Sequence, residues 1–198
     1  SFTVRFFQRN GNAYPICDTD QFYVEVMTEG TKKVVAISEL GSSHPNNANE
    51  AKVKFTVRTA GQYKISIMIG SNHIAGSPFY KSFLPSSMSP LRSRMIRASS
   101  IVVCQAGLPN ILHIEPRDEY GNVCNFDHEA DPTRGYLVEI FDLNDRPNEK
   151  YSSAITLNYD KVNSRVNVNV LFPEPICLRA RITYEMQPIP NANFDLIV

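Results

Sequence analysis

The chain has 198 residues, 42% of them hydrophobic, with 20 Lys and Arg against 20 Asp and Glu and four Cys. That is an ordinary globular composition, with room for one large or two small cores. Residues 1–90 carry nine basic and six acidic side chains and residues 91–198 carry eleven and fourteen, offsets far short of the concentrated basic face that nucleic-acid binding needs.

In chain order, apolar alternation predicts strands over 2–7, 22–27, 33–38, 52–57, 63–69 and 79–83. Phe22, Val24 and Val26 fall on one face of the second, Tyr23 and Glu25 on the other; Tyr63, Ile65, Ile67 and Ile69 mark a half-buried strand of an antiparallel sheet. Gly70 to His73 supply turn chemistry, and Pro78 marks the apolar segment that follows as edge-like or bulged. Alternation then stops. Residues 85–100, rich in Ser and containing Pro85, Pro90, Arg92, Arg94 and Arg97, read as a linker by composition. It resumes with strands expected over 101–104, 110–116, 136–142, 152–158, 165–171, 178–184 and 194–198.

The two sides of the linker repeat each other. QFYVEVM at 21–27 matches GYLVEIF at 135–141, HIAGSPF at 73–79 aligns on PIPNANF at 188–194, and FQRNGN ending at Asn12 answers RDEYGN ending at Asn122. Two copies of one unit account for this order. Seven short strands in about a hundred residues is the count of an immunoglobulin-like sandwich. The first copy has six, starting at the equivalent of 110–116, so its first strand is expected to be missing or supplied from elsewhere: by the linker, by the second copy, or across a homodimer, with the domains docked on each other.

Two stretches carry a resemblance to a known family. AGLPNILHIEPRDEYGN at 106–122 and AGQYKISIMIGSNHIAGSPF at 60–79 are similar to the opening and closing signatures of filamin-type repeats. The resemblance implies an all-β chain of two immunoglobulin-like sandwich domains in tandem, 1–84 and 101–198. The second copy departs from it at Asn191, Ala192 and Asn193, where the family has glycine, serine and proline, so its last turn is expected to differ. KVKFTVRTAGQYKISI, SPFYKSFLP, LHIEPRDEYGN and ITYEMQPIPNANFDLIV resemble the amino-terminal region of the apoptosis-resistant HECT-type ubiquitin ligases. That implies a non-catalytic region that recruits substrate or regulates, with any ligase activity in a longer parent chain. The alternative is a filamin-like cytoskeletal scaffold module.

Chemistry-bearing residues give little. Asp127, His128, Glu129 and Asp131 match no calcium-loop spacing and read as a solvated loop. Asp118 and Glu119 point to opposite faces of a strand, which bars a shared catalytic site, and Asp118 leads into a turn at Gly121 and Asn122 where an acid satisfies backbone donors. No serine sits in a nucleophile elbow and the His residues at 44, 73, 113 and 128 form no motif with a nucleophile. Cys17, Cys104, Cys124 and Cys177 make no C-x-x-C pair, and no N-x-S/T acceptor occurs, so free thiols in a reducing, cytoplasmic setting are expected, with no metal and no cofactor; this also weighs against an extracellular adhesion module. No apolar run is long enough to insert in a membrane. Arg97, three residues before Ser100, makes Ser100 a candidate phosphosite for a basophilic kinase.

What remains is edge. The family resemblance implies that partners add a peptide strand beside the third strand of a repeat, which puts the candidate site at Phe22, Tyr23, Val24, Glu25, Val26 and Met27 and its counterpart at 136–142. The second edge is followed by DLNDRPNEK, whose charges and Pro147 guard against strand addition, so the first is favoured.

Overall fold

A computed structural model describes residues 1–28, 33–34, 36–40, 48–97 and 99–198, almost all of them strand, turn or loop. It divides into two units, Ser1–Leu84 and Pro85–Val198. In both, period-two alternation turns one face of each strand inward, and two sheets bury those faces against each other.

The first unit contains β1 (Phe2–Arg5), β2 (Phe22–Thr28), β3 (Lys33–Val34), β4 (Ala36–Leu40), β5 (Glu50–Phe55), β6 (Gly61–Ile69), β7 (Asn72–His73) and β8 (Phe79–Phe83). One sheet runs β1-β5-β4; the other runs β3-β2-β6, with β7 and β8 both on β6. Val4, Phe6, Val26, Ala51, Val53, Tyr63, Ile65 and Ile67 form the core between them. The strand expected over 33–38 is two strands in different sheets, β3 beside β2 and β4 beside β5; residue 35 lies outside the described residues. After β6 the chain turns at Gly70, and the hydroxyl of Ser77 accepts the Ile67 N–H at 2.7 Å, filling a gap in the ladder that β8 resumes at Phe79.

The second unit contains β9 (Arg94–Ile96), β10 (Ile101–Val103), β11 (Asn110–Glu115), β12 (Tyr136–Phe141), β13 (Ile155–Asp160), β14 (Arg165–Val170), β15 (Cys177–Tyr184) and β16 (Gln187–Ile197). Its sheets run β13-β14-β11-β9 and β10-β16-β15-β12. The expected difference at Asn191-Ala192-Asn193 is not found in the backbone course: Asn191 takes φ 64 where Gly76 takes φ 81, Ala192 is buried, and in both units the pairing with the preceding strand shifts register at this place, between Arg181 and Thr183 in the second and between Ile65 and Met68 in the first.

Registers fix the correspondence. Phe2 pairs with Val53 as Leu112 pairs with Val168, and Ile65 with Phe79 as Ala180 with Phe194. Thus β1, β5, β6 and β8 answer β11, β14, β15 and β16. Among the described residues, the strands β9 and β10 have no counterpart in the first unit.

Of these, β10 is the strand expected over 101–104, whereas β9 comes from the segment expected to be linker. Met88 bridges to Asp118, Ser89 N–H donates to the Arg117 carbonyl at 2.7 Å, β9 pairs with β11, and β10 runs parallel to the last strand, β16. Met95 and Val102 from these strands enter the core, Met95 at 1% exposure. One stretch of chain therefore closes both sheets of its own unit along one rim.

Candidate partner-binding edges

The edge proposed from sequence belongs to β2. On one side β2 pairs with β6 from Phe22 to Thr28; on the other β3 returns to pair at Val26 and Met27. Phe22, Val24 and Val26 face the core: Val26 is fully buried and the Phe22 ring meets Phe6 edge-on at 5.2 Å. Tyr23 is exposed on the other face and its hydroxyl donates to the Met68 sulfur at 3.3 Å. Among the described residues, no strand lies against Phe22 to Val24 on the outer side. The turn before this strand is set by Asp20, which accepts the Tyr14 hydroxyl and the Cys17 N–H and is held below its ordinary pKa, chiefly by the Cys17 N–H.

The counterpart on β12 is closed at the same end by its own chain. Pro147 bridges to Phe141 and the Asn148 N–H donates to the Ile140 carbonyl at 2.8 Å, so Pro147 stands where the guard was expected. Beside it lies a depression of about 170 Å³ between Val138 to Phe141 on one side and Pro147 to Glu149 with Ser152 on the other. The two edges are more alike than sequence implied, because the return of β3 was not readable from TEGTKK, of which residues 29–32 lie outside the described residues. The depression left no sequence signal beyond Pro147, since it forms between segments that only folding brings together.

The remaining candidates separate. Ser100 is exposed, but its carbonyl accepts the Asp195 N–H, and Arg97 is engaged elsewhere. The Arg97 guanidinium donates to the carbonyls of Asn191, Asn193 and Ser99 and lies over the Phe194 ring at 5.2 Å, where burial lowers its pKa. In the acidic loop Asp127 bonds Asn125, and Asp131 accepts from Thr133, both within local turns; among the described residues no cluster of three or more metal-ligating side chains occurs. All four cysteines are free thiols, and burial raises the pKa of Cys124 to about 11, with the Asp118 and Glu129 charges adding to it. Among the described residues, no helix is long and apolar enough to cross a membrane.

Asp118 is fully buried. Its carboxylate accepts N–H groups from Tyr120, Asn122 and Ser86 and the side-chain amide of Asn122, at 2.8 to 3.0 Å. Burial alone would raise its pKa; the hydrogen bonds, the Asn122 side chain first among them, outweigh that and hold it below the ordinary value. The turn role expected from sequence is met, and the hold on Ser86 is additional.

Residues 1–80 match the family described as the Filamin/ABP280 repeat. The first unit is a filamin repeat. Over its whole length the chain is 31% identical to apoptosis-resistant E3 ubiquitin protein ligase 1 of Homo sapiens and 30% identical to that of Mus musculus, in each case across 202 aligned residues. It spans about a quarter of the length of these curated relatives, 24% of each. Among solved structures, invasin, a bacterial integrin-binding protein, shares the fold at a TM-score of 0.62 with 8% identity, over 99% of this chain and 35% of that one. The chain thus matches the filamin repeat, a non-catalytic domain type, over its first 80 residues, continues into a second immunoglobulin-like unit of the same plan, and is homologous to part of a ubiquitin ligase.

Proposed function

We propose that this chain is the partner-binding region of a HECT-type ubiquitin ligase of the cytoplasm, recruiting substrate or regulating the ligase, and that it captures extended peptides by strand addition. The observation that carries this reading is the identity to the ligase along the whole chain, through both units. The peptide would lie beside Phe22, Tyr23 and Val24 and approach the end of β2 that β3 covers, gaining main-chain hydrogen bonds worth roughly 0.5 to 1.5 kcal/mol each before ordering costs. Tyr23, exposed beside the ladder, would read alternate side chains.

A second reading, a module of a filamin-like cytoskeletal scaffold, is favoured by the repeat match at residues 1–80. The parent reading frame separates the two: continuation into a HECT domain supports the first, and further repeats with an actin-binding pair support the second. The binding edge is tested by proline. With partners first identified by pull-down on the 198-residue chain, Val24→Pro, which removes an N–H on the open side of β2, should abolish capture and Val138→Pro should spare it, both variants keeping a folded near-ultraviolet dichroism spectrum. Equal loss from both, or from neither, would move the site off β2.

A further inference from the structure

Both units carry the same turn after β1 and β11, at residues 8–12 and 118–122, and both place a glycine at its fourth residue, Gly11 and Gly121. They differ in what precedes the glycine. In the first unit it is Asn10, and Asn10-Gly11 is the single asparagine–glycine pair of the chain; in the second it is Tyr120.

Asn10 is exposed, and its side-chain oxygen Oδ1 accepts the Asn12 N–H at 3.0 Å. That bond draws electron density away from Cγ and stabilises the negative charge that forms on Oδ1 when a nucleophile adds to this carbon. The nucleophile at hand is the main-chain nitrogen of the next residue. Gly11 brings no side chain to crowd it: its φ is 85, and a Cβ placed there would meet nothing within 4 Å. The Gly11 N–H is held by the Gln8 carbonyl at 2.9 Å, so this bond must open before the nitrogen can turn to Cγ.

In the second unit a carboxylate opposes the same opening. Asp118 Oδ1 accepts the Asn122 N–H at 2.8 Å and the Tyr120 N–H at 3.0 Å, and Oδ2 accepts the Asn122 side-chain amide at 2.8 Å. With glutamine at the corresponding place, the Asn12 N–H goes to the Asn10 side chain instead. A turn braced by its first residue becomes one that polarises its third.

We propose that Asn10 is a site of spontaneous modification, converted by water to isoaspartate and aspartate. Solvent base takes the Gly11 amide proton and the nitrogen adds to Cγ, the C=O electron pair moving to Oδ1. When that pair returns, the Cγ–Nδ2 bond breaks and the side-chain nitrogen takes up a proton and leaves as ammonia. Water then opens the five-membered imide. Addition at the main-chain carbonyl leaves the chain running through Cγ, as isoaspartate, and addition at Cγ gives aspartate. The sum is asparagine and water to acid and ammonia, with no change of oxidation state. Escape of ammonia makes the step one-way, so its extent grows with the age of the molecule. Either product puts a carboxylate beside Arg9. Isoaspartate also inserts a methylene into the main chain between the partners of the two bonds that close the turn, Gln8 N–H to Asn12 and Gly11 N–H to Gln8, and loosens both.

The test incubates the 198-residue chain at mildly alkaline pH and follows it by peptide mapping in the mass spectrometer, with enzymatic methylation to mark isoaspartyl groups. Acid should appear at Asn10 ahead of every other asparagine. Gln8→Asp offers the Asn12 N–H the partner that Asp118 gives Asn122, and should slow conversion at Asn10 roughly tenfold; Tyr120→Asn places the same pair in the braced turn and should convert roughly tenfold more slowly than Asn10. In guanidinium the Gln8→Asp variant and the parent should converge. If Tyr120→Asn does not fold, Gln8→Asp decides alone. No acid at Asn10, an unchanged rate in folded Gln8→Asp, or equal rates at the two turns would each overturn the proposal.

Discussion

Gln8 and Asp118 occupy the same place in the two units. Around them the backbone is the same: Gln8 N–H to Asn12 carbonyl at 2.8 Å against Asp118 to Asn122 at 2.9 Å, and Gly11 to Gln8 at 2.9 Å against Gly121 to Asp118 at 3.0 Å. Gly11 and Gly121 both take φ near +85, at 85 and 88, a conformation that favours glycine. Only the side chain differs, and with it the use of the turn. A carboxylate here anchors Ser86 and brings in the segment that becomes β9 and β10, whereas a glutamine leaves a plain turn. The cores register the same difference. Where the second unit has Leu112, Val170, Leu178 and Val198, the first has Phe2, Phe55, Tyr63 and Phe83, so larger rings stand at the same places of one plan, while the second core also takes in Met95 and Val102.

The comparison can be broken at its strongest point first. Met95→Ala removes a side chain that is 1% exposed and should destabilise the second unit by about 3 kcal/mol, read as a lower denaturation midpoint, while leaving the first unit's transition in place. If the loss is under 1 kcal/mol, the added segment is not part of that core.

Next comes Asp118. Its replacement by Ala strands three buried or half-buried N–H groups and should cost about 2 kcal/mol, with faster hydrogen exchange at Ser86; Gln8→Ala should stay within about 0.5 kcal/mol. The acid dependence sharpens this. The folded-state pKa of Asp118 is depressed from 3.8, so its contribution is complete above the unfolded value and is lost as pH falls through the folded one. The stability gap between the chain and its Asp118→Asn variant should therefore be constant from about pH 7 to 5 and close below about pH 4. A gap that grew on acidification would contradict the anchoring role.

The smallest effect is expected at the ring rim. Phe2→Leu installs the residue that the second unit uses and should cost the first unit about 1 kcal/mol, because nothing refills the space. No change in its melting temperature would mean that the larger ring of Phe2 adds nothing to the first core.

Much of this was legible because period two is a direct record of a half-buried strand. Tyr63, Ile65 and Ile67 point inward as read, and Phe79–Phe83 has the expected bounds. What escaped was short or long-range. β9 is three residues with one buried side chain, too brief to show any period, and the Ser-Pro composition around it speaks for a linker. The split of 33–38 between sheets was hidden because alternation survives a change of partner. Asp118 was readable as a turn acid, since its partners Tyr120 and Asn122 are neighbours in sequence; its hold on Ser86, 32 residues away, was not. For the candidate edge, residue identities on β2 were legible and its half-closure by β3 was not, because edge pairing depends on where a loop returns.

The way β9 and β10 are recruited bears on where the chain can be divided. A fragment starting at Ile101 would keep every strand that the repeat pattern recognises, yet would lose the Met95 side chain, the Ser86 partner of Asp118 and the arginine that lies over Phe194. An exon boundary, a protease site or an expression fragment placed there would leave a buried carboxylate facing an empty seat. Cutting before Pro85 keeps them together.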